Sequence, residues 1–145
     1  MTYENYIKGK LIDYAASEGM RYGSADCALA IMQVVANRVG EGWEGGDWLK
    51  VLKGMPDTRG TTYKDDYTID PRSAVFRQLL VNVEDIYHRV ADDTNVNVTD
   101  DRGKLVALYY CEAHNVTEPW FKQHILADQD THPRIAKVGE LTFFA

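Results

Sequence analysis

The sequence has few cysteines, no long apolar run and no excess of basic residues, and each of these absences argues against one class of protein. Two cysteines among 145 residues cannot supply the disulfide framework of a small secreted domain. Sixteen basic residues against 22 acidic ones give a net charge of -6, so we expect no nucleic-acid partner. No apolar stretch approaches the roughly 20 residues that a membrane-spanning helix requires, so we expect no stable membrane insertion.

The first ten residues, MTYENYIKGK, also lack the basic and apolar regions of an export signal. We therefore expect the chain to be made and kept in a cytoplasm, with Cys27 and Cys111 reduced and buried. The four histidines and two cysteines show no spacing typical of a metal-binding pair, so we predict neither a metal nor a cofactor. The length suits a single domain covering residues 1–145.

The spacing of apolar residues predicts a mainly α fold of the α+β class with a minor strand element. One amphipathic helix is expected from Tyr3 to Ser17, with Gly19 marking its end. A second is expected from Ala25 to Val39, with Gly40 as a left-handed cap. The second helix is apolar on nearly every side, so it should be central and buried.

The rest of the chain predicts shorter or less regular elements. Met55 to Asp70 is polar and without a period, which is typical of a long surface loop. The other predicted elements, in chain order, are a short helix capped by Asp47 and closed by Gly54, a long helix opened by Asp70 and Pro71 and running to about Ala91, a helix or strand from Val106 to Ala113, a short helix from Thr117 and Pro119 through Ile125, and a terminal strand from Val138 to Phe144.

Three segments, in order and spacing, resemble one known family. Leu11 to Trp43 contains a helix with Ser17-Glu18 near its end, followed by a helix that runs into Asn-Arg-Val. Val106 to Phe121, VALYYCEAHNVTEPWF, contains Ala-Leu-Tyr-Tyr and a later tryptophan. His132 to Ala145, HPRIAKVGELTFFA, has a glycine before a closing pair of aromatic residues. Together they resemble the SleB-type cell-wall hydrolases, which include spore-cortex lytic enzymes and phage lysis proteins.

This resemblance implies a lysozyme-like fold and an endolysin activity on peptidoglycan glycan strands. The bond cleaved would join N-acetylmuramic acid to N-acetylglucosamine, and the enzyme would be a lytic transglycosylase. Only Glu18 matches the family's catalytic acid. Two departures stand out: the loop from Met55 to Asp70 lacks the family's Gln-Phe-Ser motif, and Ser17 replaces a glycine. We expect the substrate cleft near that loop to be rebuilt.

The chemistry of glycoside cleavage also points to Glu18. The reaction needs a carboxylic acid that stays protonated near neutral pH, and both apolar rings and a helix C-terminus disfavour the carboxylate form. Tyr22, Tyr109 and Tyr110 are predicted to bind substrate, with one of the adjacent pair facing the core. No second carboxylate is evident from spacing. This favours a single-acid mechanism in which the 6-hydroxyl of the substrate attacks.

Two other functions remain open. The segment from Tyr22 to Cys27 resembles the Asp-Cys start of the nucleophile helix in papain-like cell-wall peptidases, where a helix N-terminus lowers the pKa of the thiol. That mechanism needs a histidine on a following strand, and no such strand is evident between Val39 and Val106. The third possibility is a non-catalytic phage structural module. Without an export signal, a lytic enzyme would reach the wall through a holin or as part of a virion.

Three further residues are predicted to have structural roles. Asn37 and Arg38 end the buried helix and should satisfy backbone carbonyl groups near it. Trp120 follows a proline and is predicted to anchor the core rather than to form a platform for sugar.

Overall fold

A computed structural model describes residues 2–21, 25–55, 70–88, 106–112 and 116–145, with the backbone alone for Met20 and Arg21. The fold is mainly α with a small antiparallel sheet, which confirms the predicted class. The helices are α1 (Tyr3–Arg21), α2 (Ala25–Gly40), α3 (Trp48–Lys53), α4 (Ala74–Tyr87) and the single turn α5 (Pro119–Phe121). The strands are β1 (Tyr109–Glu112), β2 (Arg134–Val138) and β3 (Leu141–Phe144), and a 3-10 turn (Trp43–Gly46) and a π-helical turn (Lys122–Leu126) complete the elements.

Helix α2 lies at the centre of the main hydrophobic core, as its apolar composition predicted. Its residues from Ala30 to Val39 are all buried, and α1 and α4 both pack against it. The buried polar side chains on this helix are Gln33, Asn37 and Arg38. Because a buried polar group is costly without a hydrogen bond, these three side chains must find partners inside the fold.

Helix α1 continues past the glycine that was expected to end it. Gly19 is buried within the helix, which runs on to Arg21. A Cβ atom at Gly19 would lie 2.6 Å from the Cβ of Ala28 and closer still to the Ala28 backbone nitrogen. The glycine therefore permits a close crossing of α1 and α2, and this tertiary contact outweighs its low helix propensity.

The predicted left-handed cap of α2 is also displaced. Gly40 is the last helical residue, and the left-handed backbone occurs two residues later, at Gly42, with φ of 83°. Bonds from the amides of Glu41 and Gly42 to carbonyls of the last turn extend the helical path beyond Gly40. The cap of α3 is as predicted, because an Asp47 carboxylate oxygen accepts from the Lys50 amide at 3.0 Å.

Helix α4 begins later than Pro71. The Asp70 carboxylate accepts from the Arg72 amide at 2.9 Å in a local turn, and the Ser73 hydroxyl caps the helix by accepting from the Phe76 amide at 3.1 Å. The prediction was wrong because an aspartate bonded two residues ahead forms a turn before the helix starts. The helix ends at Tyr87 with His88 as its C-cap, four residues before the predicted end near Ala91. Most of the loop from Met55 to Asp70 lies outside the described residues.

The sheet has the strand order β1-β3-β2, and both pairings are antiparallel. The segment of uncertain type after Val106 is therefore a strand. The predicted terminal strand is only partly correct, because Val138 ends β2 and Gly139, with φ of 56°, turns the chain into β3. The edge strand β2 is half-exposed and lacks a clear apolar alternation, so its sequence pattern does not reveal it.

The two faces of the sheet pack against different parts of the chain. On the inner face, Tyr110 and Phe143 join the main core of α1, α2 and α4. On the outer face, Tyr109 and Phe144 form a smaller cluster with Phe121 and other residues around the π-helical turn. This alternation follows from the period of two residues along a strand.

Both cysteines are buried free thiols, as predicted. Cys27 lies in the first turn of α2, and its Sγ donates to the Val138 carbonyl at 3.3 Å. In the part of the chain that the structure describes, no helix combines the length and apolar character needed to cross a membrane.

Candidate functional site

Glu18 lies half-buried in the last turn of α1. The last four carbonyl groups of an α-helix have no partner inside the helix, so they carry partial negative charge around this position. The Glu18 side chain is half-buried and therefore has only restricted contact with water. Restricted contact with water is one of the conditions that a general acid requires.

The helix face that carries Glu18 is joined directly to the sheet. Tyr14 lies four residues before Glu18, so the two side chains leave the same side of α1. Tyr14 is fully buried, and its hydroxyl lies 2.8 Å from the hydroxyl of Tyr110 on β1. This hydrogen bond fixes α1 to the inner face of the sheet one helical turn before the candidate acid.

The backbone beside Glu18 is held as firmly on its other side. Its neighbour Gly19 crosses α2 at Ala28 with no room for a side chain. The position of the candidate acid is therefore set by the backbone packing of two helices. Such a setting limits the displacement of a reacting group, on which catalytic rates depend strongly.

Asn37 and Arg38 hold the segment that leads into β1, which confirms their predicted structural role. The Asn37 amide donates to the Ala107 carbonyl at 2.9 Å, and Arg38 Nε donates to the Leu108 carbonyl at 2.7 Å. Gln33 donates to the Asn37 side-chain oxygen at 3.0 Å. The three buried polar side chains of α2 thus connect the central helix to the strand that carries both candidate tyrosines.

Tyr109 has surroundings that differ from those of Tyr110. The Arg38 guanidinium lies 4.5 Å from the centre of the Trp43 ring and 5.4 Å from that of Tyr109. Tyr109 also contacts His132 edge to face, with ring centres 5.3 Å apart. These contacts form an aromatic cluster around a buried cation, an arrangement favoured by the negative faces of the rings.

The structure separates the predicted substrate-binding residues. Tyr109 and Tyr110 point to opposite faces of the sheet, as predicted for neighbours on a regular element, and each is 8% exposed. Tyr110 contacts Tyr14, which precedes Glu18 by four residues on α1, whereas Tyr109 belongs to the outer cluster. Tyr22 lies outside the described residues. That these three tyrosines bind substrate stays a prediction.

Trp120 was wrongly predicted to be a core anchor, because its side chain is 45% exposed. The Glu118 carboxylate caps α5 by accepting from the Trp120 amide, and the next residue, Phe121, is fully buried. Neighbouring helical side chains point in different directions, so only one of the two rings can enter the outer cluster. The local sequence after Pro119 does not show which of the two rings is buried.

The Cys27 thiol is fully buried, and its sulfur donates to a backbone carbonyl. Each histidine in the described ranges contacts a different group: His88 lies 2.8 Å from a Glu4 oxygen, the His124 ring lies tilted against that of Trp120, and His132 Nδ1 lies 2.9 Å from the Ala145 carbonyl. His114 lies outside those ranges.

One cluster of potential metal ligands was not predicted. Within the described residues, ligand atoms of Glu4, Glu84 and His88 lie within 4.8 Å of one another. The Lys8 ammonium already binds Glu84 and lies 3.2 Å from Glu4, which neutralises much of the negative charge. The hydrogen bond to Glu84 raises the pKa of Lys8, and the same bond lowers the pKa of Glu84. The cluster joins α1 to α4 as an ionic contact.

In the sequence, the only local sign of this ionic cluster is the spacing of four residues between Glu84 and His88, which places both on one helical face. The α1 members of the cluster lie far away along the chain.

No family model, curated protein or solved structure matches this chain. The functional interpretation therefore rests on the geometry around Glu18 and on the resemblance in sequence.

Proposed function

We propose that this protein cleaves peptidoglycan glycan strands between N-acetylmuramic acid and N-acetylglucosamine, with Glu18 as the general acid. The observation that carries the proposal is the position of Glu18, half-buried in the last turn of α1, one turn beyond the buried Tyr14–Tyr110 contact. The mainly α architecture with a small antiparallel sheet belongs to the same broad class as the fold that the resemblance implies.

In the proposed reaction, the Glu18 carboxyl donates its proton to the glycosidic oxygen as the bond from that oxygen to C1 of N-acetylmuramic acid breaks. The 6-hydroxyl of the same sugar then attacks C1, and its proton passes to the Glu18 carboxylate. The products are a free 4-hydroxyl on N-acetylglucosamine and a 1,6-anhydro ring on N-acetylmuramic acid. One carboxyl group is enough, because the nucleophile, the 6-hydroxyl, belongs to the substrate.

Replacement of Glu18 by glutamine tests this role. Glutamine keeps the size of the side chain but cannot donate a carboxylic proton, so the rate should fall by about a hundred- to ten-thousand-fold. The measurement is loss of turbidity of purified cell walls, with circular dichroism to verify folding. Glu41→Gln is the matched control, because Glu41 is exposed just beyond α2. Folded Glu18→Gln protein that clears walls within a few-fold of wild type would disprove the assignment.

The products distinguish the mechanism. Mass spectrometry of digested walls should find 1,6-anhydro ends, because the internal hydroxyl replaces water. Reducing ends alone would identify a hydrolase, and a second carboxylate would then have to act with Glu18.

The alternative with Cys27 as nucleophile predicts cuts in the peptide rather than in the glycan. Its complete burial and its bond to the Val138 carbonyl argue against that function. Folded Cys27→Ala protein should retain its activity on walls, and complete loss of activity would reverse the order of the two proposals. Absence of any wall cleavage by wild-type protein would favour the non-catalytic module.

A further inference from the structure

One large aromatic ring beside the outer cluster is exposed to solvent. Trp120 is 45% exposed, although the neighbouring Phe121 is fully buried. The ring contacts two others, because its centre lies 6.2 Å from that of the buried Tyr109 and 5.3 Å from that of the exposed His124. An exposed tryptophan held by two other rings loses little further freedom when a ligand covers it.

The backbone that follows Trp120 has an unusual form. The amide of Ala127 donates to the carbonyl of Lys122, five residues earlier, at 3.0 Å, and this bond closes the π-helical turn. Such turns are rare and occur frequently at functional sites. The turn carries His124 against the Trp120 ring, with an angle of 35° between the planes. The contact between the exposed rings of Trp120 and His124 therefore depends on the backbone of this π-helical turn.

The surroundings of Trp120 indicate what could cover it. Of the other large apolar side chains in this segment, Phe121 and Ile125 are fully buried and Leu126 is half-buried against the outer cluster, whereas Lys122, Gln123 and His124 are exposed. An amphipathic helix of a partner protein or a lipid surface would need a contiguous apolar patch, which this segment does not offer. A pyranose ring has one face of C–H groups and a rim of hydroxyls, and it fits a single aromatic face bordered by polar side chains.

We propose that Trp120, supported by His124, is a stacking platform for one sugar ring of a glycan strand. The identity of that glycan as peptidoglycan rests on the proposed function. The hydroxyl pair of Tyr14 and Tyr110, one helical turn before Glu18, lies on the inner face of the sheet, whereas Trp120 contacts Tyr109 on the outer face. The platform therefore anchors the polymer at a point separate from bond cleavage.

The test measures binding rather than catalysis. Trp120→Leu and Trp120→Phe are prepared in the Glu18→Gln protein, and sedimentation with purified peptidoglycan sacculi gives their affinities. Leucine keeps an apolar side chain without a ring, so we expect binding about tenfold weaker, whereas phenylalanine should stay within a few-fold. Tyr3→Leu is the control, because Tyr3 is a 59% exposed aromatic residue at the start of α1 and its loss should change nothing.

Each outcome decides the proposal. Unchanged binding by folded Trp120→Leu would overturn it, as would equal losses in the leucine and phenylalanine variants or a failure of the unsubstituted protein to bind sacculi. Binding through Trp120 without any wall cleavage would support the platform while refuting the proposed enzyme. Cleavage by a protein that binds without Trp120 would do the reverse.

A second measurement needs no substitution. N-bromosuccinimide oxidises exposed indole rings, and Trp120 is more exposed than Trp43 or Trp48. An oligomer of N-acetylglucosamine should slow oxidation at Trp120 while Trp43 and Trp48 react as before, with the modified residue located by peptide mass spectrometry. Oxidation of Trp120 at the same rate with and without the oligomer would overturn the platform.

Discussion

Tyr110 and Tyr109 are neighbours on β1, but the first faces the helical core and the second faces the smaller outer cluster. On the inner face, the hydroxyl of Tyr110 is paired with that of Tyr14. On the outer face, the ring of Tyr109 is surrounded by other rings and leads to the exposed Trp120. One strand therefore supports two separate surfaces, since alternate side chains meet different environments.

The inner face should matter more for stability than the outer face. Phe143→Ala on the inner face should lower the free energy of unfolding by about 3–5 kcal/mol, the usual range for a buried phenylalanine. Phe144→Ala should lower it less, because the smaller outer cluster can relax around the lost ring. Urea denaturation of both variants measures the difference. A larger loss for Phe144→Ala would show that the outer cluster holds the fold together.

A side chain at Gly19 should disturb the helix crossing behind the inner face. Because the added Cβ meets the backbone of Ala28, we expect Gly19→Ala to cost about 3 kcal/mol, near the top of the range for overpacking. Gly9→Ala is the control in the same helix. It has open space around it and should stabilise the protein by about 0.5–1 kcal/mol. Similar melting temperatures for the two variants would refute the close crossing.

The hydroxyl pair of the inner face can be tested separately. Tyr14→Phe leaves the buried Tyr110 hydroxyl without its Tyr14 partner, so stability should fall by about 1–2 kcal/mol. The double variant Tyr14→Phe with Tyr110→Phe should lose less than the sum of the two single losses. Chemical denaturation of all four proteins gives the coupling free energy. A coupling of zero would mean that the contact contributes nothing to the attachment of α1 to β1.

The smallest effect is expected at Cys111 on the outer face, and only in alkali. Burial raises the pKa of this thiol from its ordinary value of 9.0 to about 11. The folded state therefore holds the proton more tightly than the unfolded state. The stability linked to this group is present below pH 9 and is lost as the pH rises towards 11. Urea midpoints at pH 7 and pH 10 should fall less for Cys111→Ala than for wild type, and equal falls would contradict the burial effect.

The features that could be predicted from the sequence are those with a local pattern. The buried helix α2 is evident because its apolar residues surround the helix, and α3 is evident because Asp47 precedes it as an N-cap. The opposed directions of Tyr109 and Tyr110 follow from their adjacency. In the candidate site, the position of Glu18 near the end of α1 could likewise be predicted from the local pattern of the sequence.

The features that could not be predicted depend on contacts between distant segments. The continuation of α1 through Gly19 is set by its crossing with Ala28, and the exposure of Trp120 is set by which ring fills the outer cluster. The ionic cluster brings Glu4 and Lys8 to residues of α4, and only the folded chain unites them. Local propensity is a weak guide wherever tertiary packing decides.

The close crossing at Gly19 also has a consequence for the history of this fold. Because the obstruction at Ala28 is backbone, no replacement at that position can compensate for a larger residue at Gly19. Glycine should therefore persist in descendants that keep the helix crossing, whereas the packing at this crossing makes no such demand on the side chain of the adjacent Glu18. A relative that retains this glycine without the glutamate would keep the scaffold and lack the proposed general acid.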